Sequence, residues 1–260
     1  MDFSPPPTLA QLLNALQQQL DQVQEGLEHM HAVTSQRWQT LATSLTEELT
    51  AARRKSQMLE QSLYETFLRI ATAVQYRDQR NGEHLTRLSQ YTMLLALQLG
   101  LPESEIRVLY ATAPLYDIGK VGIPDAILLK PGRLMDAERT VLEIHPTLGT
   151  SLLGGLPSSL LETASTIALT HHEHWDGSGY PQGLKGEAIP LGGRLVLLAE
   201  RYEALRSVRP YKPALTHSQA QKILVEGDAL IKPEHFDPQV LEAFCTIHQD
   251  FATIHDRRTN

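Results

Sequence analysis

Six side chains spread along the chain have the types and the neighbours that metal chemistry requires: His84, Asp117, His145, the adjacent pair His171 and His172, and Glu200. Neutral imidazole and carboxylate are the ligands that borderline divalent ions take. The chain holds eleven histidines, so any one alone is as well explained as a surface residue or a satisfied core residue. The pair His171-His172 is different, because Glu173 and His174 follow it directly and crowd acid and imidazole together. Such a run reads as half of a metal site, with Glu173 as a carboxylate that orients a liganding ring. Cys245 is the single cysteine, which excludes an internal disulfide and a thiolate-built zinc site. Residues so far apart in sequence converge only if separate elements carry them inward. A bundle of helices with inward-pointing imidazoles and carboxylates is a standard way to build a two-metal centre.

The apolar pattern supplies such elements. Leu9, Leu13, Leu16, Leu20, Val23, Leu27 and Met30 follow one another in steps of four and three, the seam of a coiled coil. The register slips between Val33 and Trp38 and resumes through Leu41 and Leu45 toward Leu59, Leu63, Phe67 and Ile70. Residues 1–66 are therefore expected to form a helical segment for assembly or signal input, and residues 67–260 a separate domain. The seam fits a parallel homodimer; a hairpin packed on its own domain would show the same periodicity. Beyond it, helices are expected over Leu85–Leu99, from Glu103 or Ser104 through Leu115, from an N-cap at Asp136 to near His145-Pro146, and over Leu160–Thr170. A glycine-rich loop from Trp175 to Gly193 follows, then helices over Leu195–Ser207, His217–Leu230 and Pro238–Ile247. Sustained alternation is missing and aromatics make up only 6% of the chain, so strands are not expected and the fold reads as all-α.

Composition narrows the function. With 260 residues, 42% hydrophobic and 20% charged, the chain has the makeup of a soluble globular protein. A formal charge of -7 and a pI near 5.9 argue against nucleic acid polymers and anionic membranes as partners, yet leave room for a small phosphorylated ligand. No apolar run approaches membrane-spanning length, and the opening residues have neither the basic nor the apolar region of a secretion signal. The expected location is the cytoplasm.

The run from Ile167 to Pro190, containing His171-His-Glu-His-Trp-Asp-Gly-Ser-Gly-Tyr-Pro181, resembles the hallmark segment of HD-GYP domains. The likeness continues through Asp117-Ile-Gly-Lys120, Val121-Gly-Ile-Pro124, Ile127-Leu-Leu-Lys-Pro-Gly132 and His145-Pro-Thr-Leu-Gly149, and downstream from Arg194 to Lys212. It spans about residues 70–250. The resemblance implies an HD-type helical bundle that hydrolyses the second messenger cyclic di-GMP, to the linear dinucleotide pGpG or to GMP, with two divalent metal ions, iron or manganese. Two cations can share a nucleophile and neutralise an anionic phosphodiester. In that scheme Asp117 bridges the ions; His145, His171 and His172 complete the shell of one, and His84 and Glu200 serve the other. Lys120 contacts the phosphate, Arg209 and Lys212 grip the ligand, and Tyr180 of the Gly-Tyr-Pro loop meets it. The same loop is a candidate surface for other signalling proteins.

Four positions depart from the family pattern. Tyr116 stands where the family's name requires histidine; Glu200 and Glu203 stand where aspartates are usual; Arg80 occupies the place of a third-metal glutamate. A cation at Arg80 opposes a third ion. Tyr116 either ligates as a phenolate, which a phenol of pKa about 10 resists, or packs while Glu200 reaches inward. The set Asp117, His145, His171 and His172 is intact. The expectation is hydrolysis through an altered dimetal site; the alternative is an impaired domain acting as a nucleotide receptor or a protein-interaction module.

Overall fold

The computed structural model describes residues 9–77, 82–155, 158–208 and 213–257, with the side chains of residues 9–13 and 15 left aside. Arg80, Arg209 and Lys212, and the side chains of Leu9 and Leu13, therefore lie outside the described residues. All regular elements among the described residues are helical, as expected for an all-α chain.

The chain divides into two compact units, Met1–Glu60 and Gln61–Asn260. The described residues of the first, from Leu9 to Glu60, all belong to α1 (Leu9–Arg77). Leu16, Leu20, Val23, Leu27 and Met30 share one stripe of this helix and are each 57–61% exposed. A helix with such a stripe gains little from its own propensity and is stabilised by whatever covers the stripe.

The second unit begins with the last turns of α1, where Tyr64, Ala71, Val74 and Gln75 are buried. α2 (Glu83–Gln98) turns Leu85, Leu88, Tyr91 and Leu95 into the core at steps of three and four, with Ala96 buried beside them. α3 (Glu103–Thr112) stops earlier than the sequence suggests. Pro114 lies in the first of two tight 3-10 turns, Ala113–Leu115 and Ile118–Gly122, and Asp117 sits at the joint between them.

Two short helices follow, α4 (Asp125–Leu128) and α5 (Asp136–Leu142). Met135, not Asp136, is the N-cap of α5; its backbone N–H donates to Glu138 at 2.8 Å. The expected continuation to His145-Pro146 is also wrong. His145 opens a new helix, α6 (His145–Leu153), and Pro146 belongs to its first turn, where a missing N–H costs nothing. α7 (Ser159–Thr170) ends at the C-cap His171. The glycine-rich loop leads to α8 (Leu191–Arg206), which packs on α2, α7, α9 (His217–Glu226) and α10 (Pro238–Asp256). The run Leu195–Ala199 is buried on every side, as a central helix must be. α9 ends four residues sooner than expected because Gly227, at φ 89°, turns the backbone into a conformation that only glycine adopts cheaply. α10 runs further than expected, to Asp256, and its extra turns place Phe251 against Tyr91 at 4.4 Å between ring centres.

Candidate metal centre

Asp117, His145, His171 and His172 come together although three different parts of the fold carry them. Each offers one ligand atom, and the four atoms lie within 4.8 Å of one another. Asp117 is delivered by the joint of the 3-10 turns, His145 by the first residue of α6, and the histidine pair by the end of α7. The approach is close because Gly119 has no side chain: a Cβ there would strike the backbone carbonyl of His145 and the backbone nitrogen of Gly149. Arg77, the last residue of α1, fixes the same turn from outside. Its guanidinium donates to the carbonyls of Lys120 (3.1 Å), Val121 (2.6 Å) and Ile123 (2.9 Å) and to Asp125 (2.6 Å).

The ring nitrogens define what this pocket wants. His145 Nδ1 lies 2.7 Å from the carbonyl of Leu142, and His171 Nδ1 lies 2.9 Å from that of Ala168. A carbonyl can only accept, so both Nδ1 atoms carry a proton; in the neutral rings that a metal binds, both Nε2 atoms then present lone pairs. These two lone pairs are 3.4 Å apart, and Asp117 Oδ1 is 3.3 Å from the first and 3.8 Å from the second. Asp117 Oδ1 and His172 Nδ1 are buried with no hydrogen bond of their own. Convergent electron pairs with no proton between them repel one another unless a cation joins them. The residues therefore fit a divalent ion.

Electrostatics agrees. Burial pushes the His171 and His172 rings well toward the neutral form that a metal needs, and for His172 the neighbouring rings and Arg201 add to it. Burial would raise the Asp117 carboxyl, but the Lys120 ammonium opposes it, and Asp117 is held well below the usual carboxylate range. Lys120 Nζ is 2.8 Å from Asp117 Oδ2.

Of the other residues singled out in the sequence, His84 is buried near the start of α2 and Glu200 is half-buried on α8; neither joins the cluster of four. Tyr116 is 2% exposed in the hydrophobic core, its ring set edge-on to His171 at 5.1 Å. Tyr180 stacks on His172 at 4.6 Å. Glu173 does not orient a liganding ring, contrary to expectation: its carboxylate accepts the backbone N–H groups of Gln182 (2.7 Å) and Leu184 (2.9 Å) and so folds the Gly-Tyr-Pro loop. A buried acid needs hydrogen-bond donors, and the loop supplies two backbone amides within reach. Glu203 braces α8 against α2 through Arg87, whose guanidinium reaches it at 2.6 Å. Two residues at the centre carried no signal in the sequence. Gln75, 1% exposed, donates from Nε2 to Asp117 Oδ2 at 3.3 Å. Arg201 lies 3.8 Å from Glu200, and its charge also falls on His172, His174, Tyr180 and His235.

Comparison with known proteins matches residues 69–240 to the HD domain family. A cyclic di-GMP phosphodiesterase of Vibrio cholerae serotype O1 is 46% identical over 198 residues, which cover 71% of this chain and 39% of that protein. The cyclic di-GMP phosphodiesterase response regulator RpfG of Xanthomonas campestris pv. campestris is 44% identical over 185 residues, 71% of this chain and 48% of its own length. The chain thus spans less than half the length of these two relatives. Among solved structures, a V. cholerae cyclic GMP-AMP specific phosphodiesterase, V-cGAP3, shares the fold at a TM-score of 0.54 with 23% identity, over 75% of this chain and 51% of that one. The converging imidazoles and carboxylate, the Gly-Tyr-Pro loop folded beside them and the match over most of the second unit lead to one assignment: the chain belongs to the HD domain family, as a member of its HD-GYP group.

Proposed function

We propose that this chain hydrolyses cyclic di-GMP, to pGpG, GMP or both, at a divalent iron or manganese ion held by Asp117, His145, His171 and His172. The observation that carries the reading is the convergence of two imidazole lone pairs on a buried carboxylate oxygen, a geometry stable only around a cation. The names of the two phosphodiesterase relatives supply the substrate. When bound, the ion acts as a Lewis acid toward the phosphodiester and acidifies the attacking water. Of the two ions expected from the sequence, the one in this pocket bears the reading.

The chain's own residues have the remaining tasks. Lys120 presents an ammonium to the anionic phosphate beside Asp117. Tyr180, stacked on His172, is the loop residue that meets the nucleotide, with Arg209 and Lys212 gripping its phosphates or guanine edges. Arg201 adds positive charge at the same place. We assign the exposed stripe of α1 to pairing with a second copy of the chain, and the Gly-Tyr-Pro loop to contacts with other signalling proteins.

The test is incubation with cyclic di-GMP in Mn²⁺ and in anaerobic Fe²⁺, with products separated by chromatography and cyclic GMP-AMP as a parallel substrate. Linear product from the parent, and a loss of at least about 100-fold in His172→Ala, is expected. Nucleotide bound without product in either metal means a receptor and not an enzyme.

A further inference from the structure

We infer that the centre is built for a single ion, because the Lys120 ammonium occupies the side of Asp117 that a second ion needs. The inference rests on the reading that the four-residue pocket binds a divalent cation, and it concerns how many.

A carboxylate commonly bridges two ions by giving one oxygen to each. The two oxygens of Asp117 are already divided. Oδ1 faces the imidazole lone pairs, 3.3 Å from His145 Nε2 and 3.8 Å from His171 Nε2. Oδ2 takes the Lys120 ammonium at 2.8 Å and the Gln75 amide at 3.3 Å. Both donors are well shielded: Gln75 is 1% exposed, and the Lys120 side chain 13%. Charge assistance and low dielectric strengthen the lysine contact and weaken the competition from water. A dication brought to Oδ2 would have to displace a fixed positive charge from the same atom, and like charges at such separation repel strongly.

Among the described residues, those expected to hold a second ion fall outside the four-residue cluster. Tyr116 stands at the position of a neutral nitrogen ligand, but its ring is buried in the core edge-on to His171, and a phenol must ionise before it binds. Glu200 and His84 lie outside the ligand cluster, and the Glu200 carboxylate faces Arg201 at 3.8 Å. A lysine does part of what a second ion does: it neutralises a phosphodiester oxygen without needing ligands of its own. Loaded, the centre would hold one dication on the Oδ1 side of Asp117, with the Lys120 ammonium on Oδ2.

Stoichiometry decides the matter. The full chain is loaded with excess Mn²⁺ and freed of loose metal. Elemental analysis then counts bound ions, and electron paramagnetic resonance distinguishes an isolated ion from an exchange-coupled pair. One Mn²⁺ per chain with an isolated-ion spectrum, and none in His172→Ala, is the expected result. Two per chain with a coupled spectrum overturns the inference and leaves the proposed activity standing; no ion in the parent overturns both. Lys120→Glu puts a ligand where the ammonium stood and is expected to bind a second ion. Lys120→Gln removes the charge with little change in bulk and covers the case of a glutamate variant that does not fold; its second ion is expected to bind more weakly, as a separate step in a titration. If both variants stop at one, Lys120 is not the excluding group and the inference fails.

Discussion

An imidazole that is buried neutral costs stability when the solution turns acid, and three lie side by side here. In an unfolded chain His171, His172 and His174 take up protons near the usual 6.5; in the fold burial holds all three below that value, His174 at about 4. As pH falls below about 6.5 the unfolded state binds protons that the native state refuses, so stability falls with pH until the folded values are reached. Asp117, held low, resists protonation to far more acid conditions and stays outside this window. The metal-free chain should therefore melt several degrees lower at about pH 5.5 than at about pH 7.5, as followed by circular dichroism. A melting point flat across that range would mean that these rings are solvated, and that His171 and His172 are not poised as ligands. The four clustered residues were legible in the sequence because they are imidazoles and a carboxylate, two of them an adjacent histidine pair at a helix end, in stretches that match the HD-GYP pattern. Gln75 was not, since an amide on a helix carries no spacing signal and its role exists only where α1 passes Asp117. Glu173 was misassigned for a related reason. Sequence shows that an acid adjoins the histidines, and only the folded loop shows that Gln182 and Leu184 claim it.

At the scale of elements, the centre depends on how tightly the turn bearing Asp117 approaches α6. Gly119 is the contact, and the atoms it would meet belong to backbone, which cannot swing aside as a side chain does. Gly119→Ala should then separate the turn from α6, at a cost of about 1–3 kcal/mol in denaturant unfolding, and should weaken ion binding although no ligand is changed. A variant with parent stability and parent ion affinity would show that the approach is looser than described. Helix existence was readable from apolar periodicity, but several ends were not. α3 yields to Pro114 and α9 to Gly227, both local signals; α10 outruns its expected end because Phe251 finds a place against Tyr91, which is a tertiary fact. The boundary before α6 matters most. A single helix through His145-Pro146 would carry His145 at its frayed end, whereas the first turn of a new helix fixes its ring through the Leu142 carbonyl.

At the scale of the whole molecule, the all-α architecture followed from apolar spacing and from the lack of alternating segments, while the partner of α1 does not follow from one chain's periodicity. Pairing of the stripe predicts a particle of twice the 29.0 kDa chain mass by light scattering. Leu20→Glu with Leu27→Glu should return it to one chain at the same concentration, because buried like charges on a seam oppose association. A dimer unaffected by both changes would place assembly elsewhere. The central claim is that phosphodiester cleavage runs on the ion held by Asp117, His145, His171 and His172. The most direct measurement is the cyclic di-GMP turnover rate of the metal-free chain as ion is added back, with bound ion counted in the same samples. The account predicts a rate that rises in proportion to occupancy of the pocket and levels off when the pocket is full, and that His172→Ala abolishes both together. A pocket filled with ion and nucleotide that yields no linear product, or a rate unrelated to the ion bound there, would contradict it.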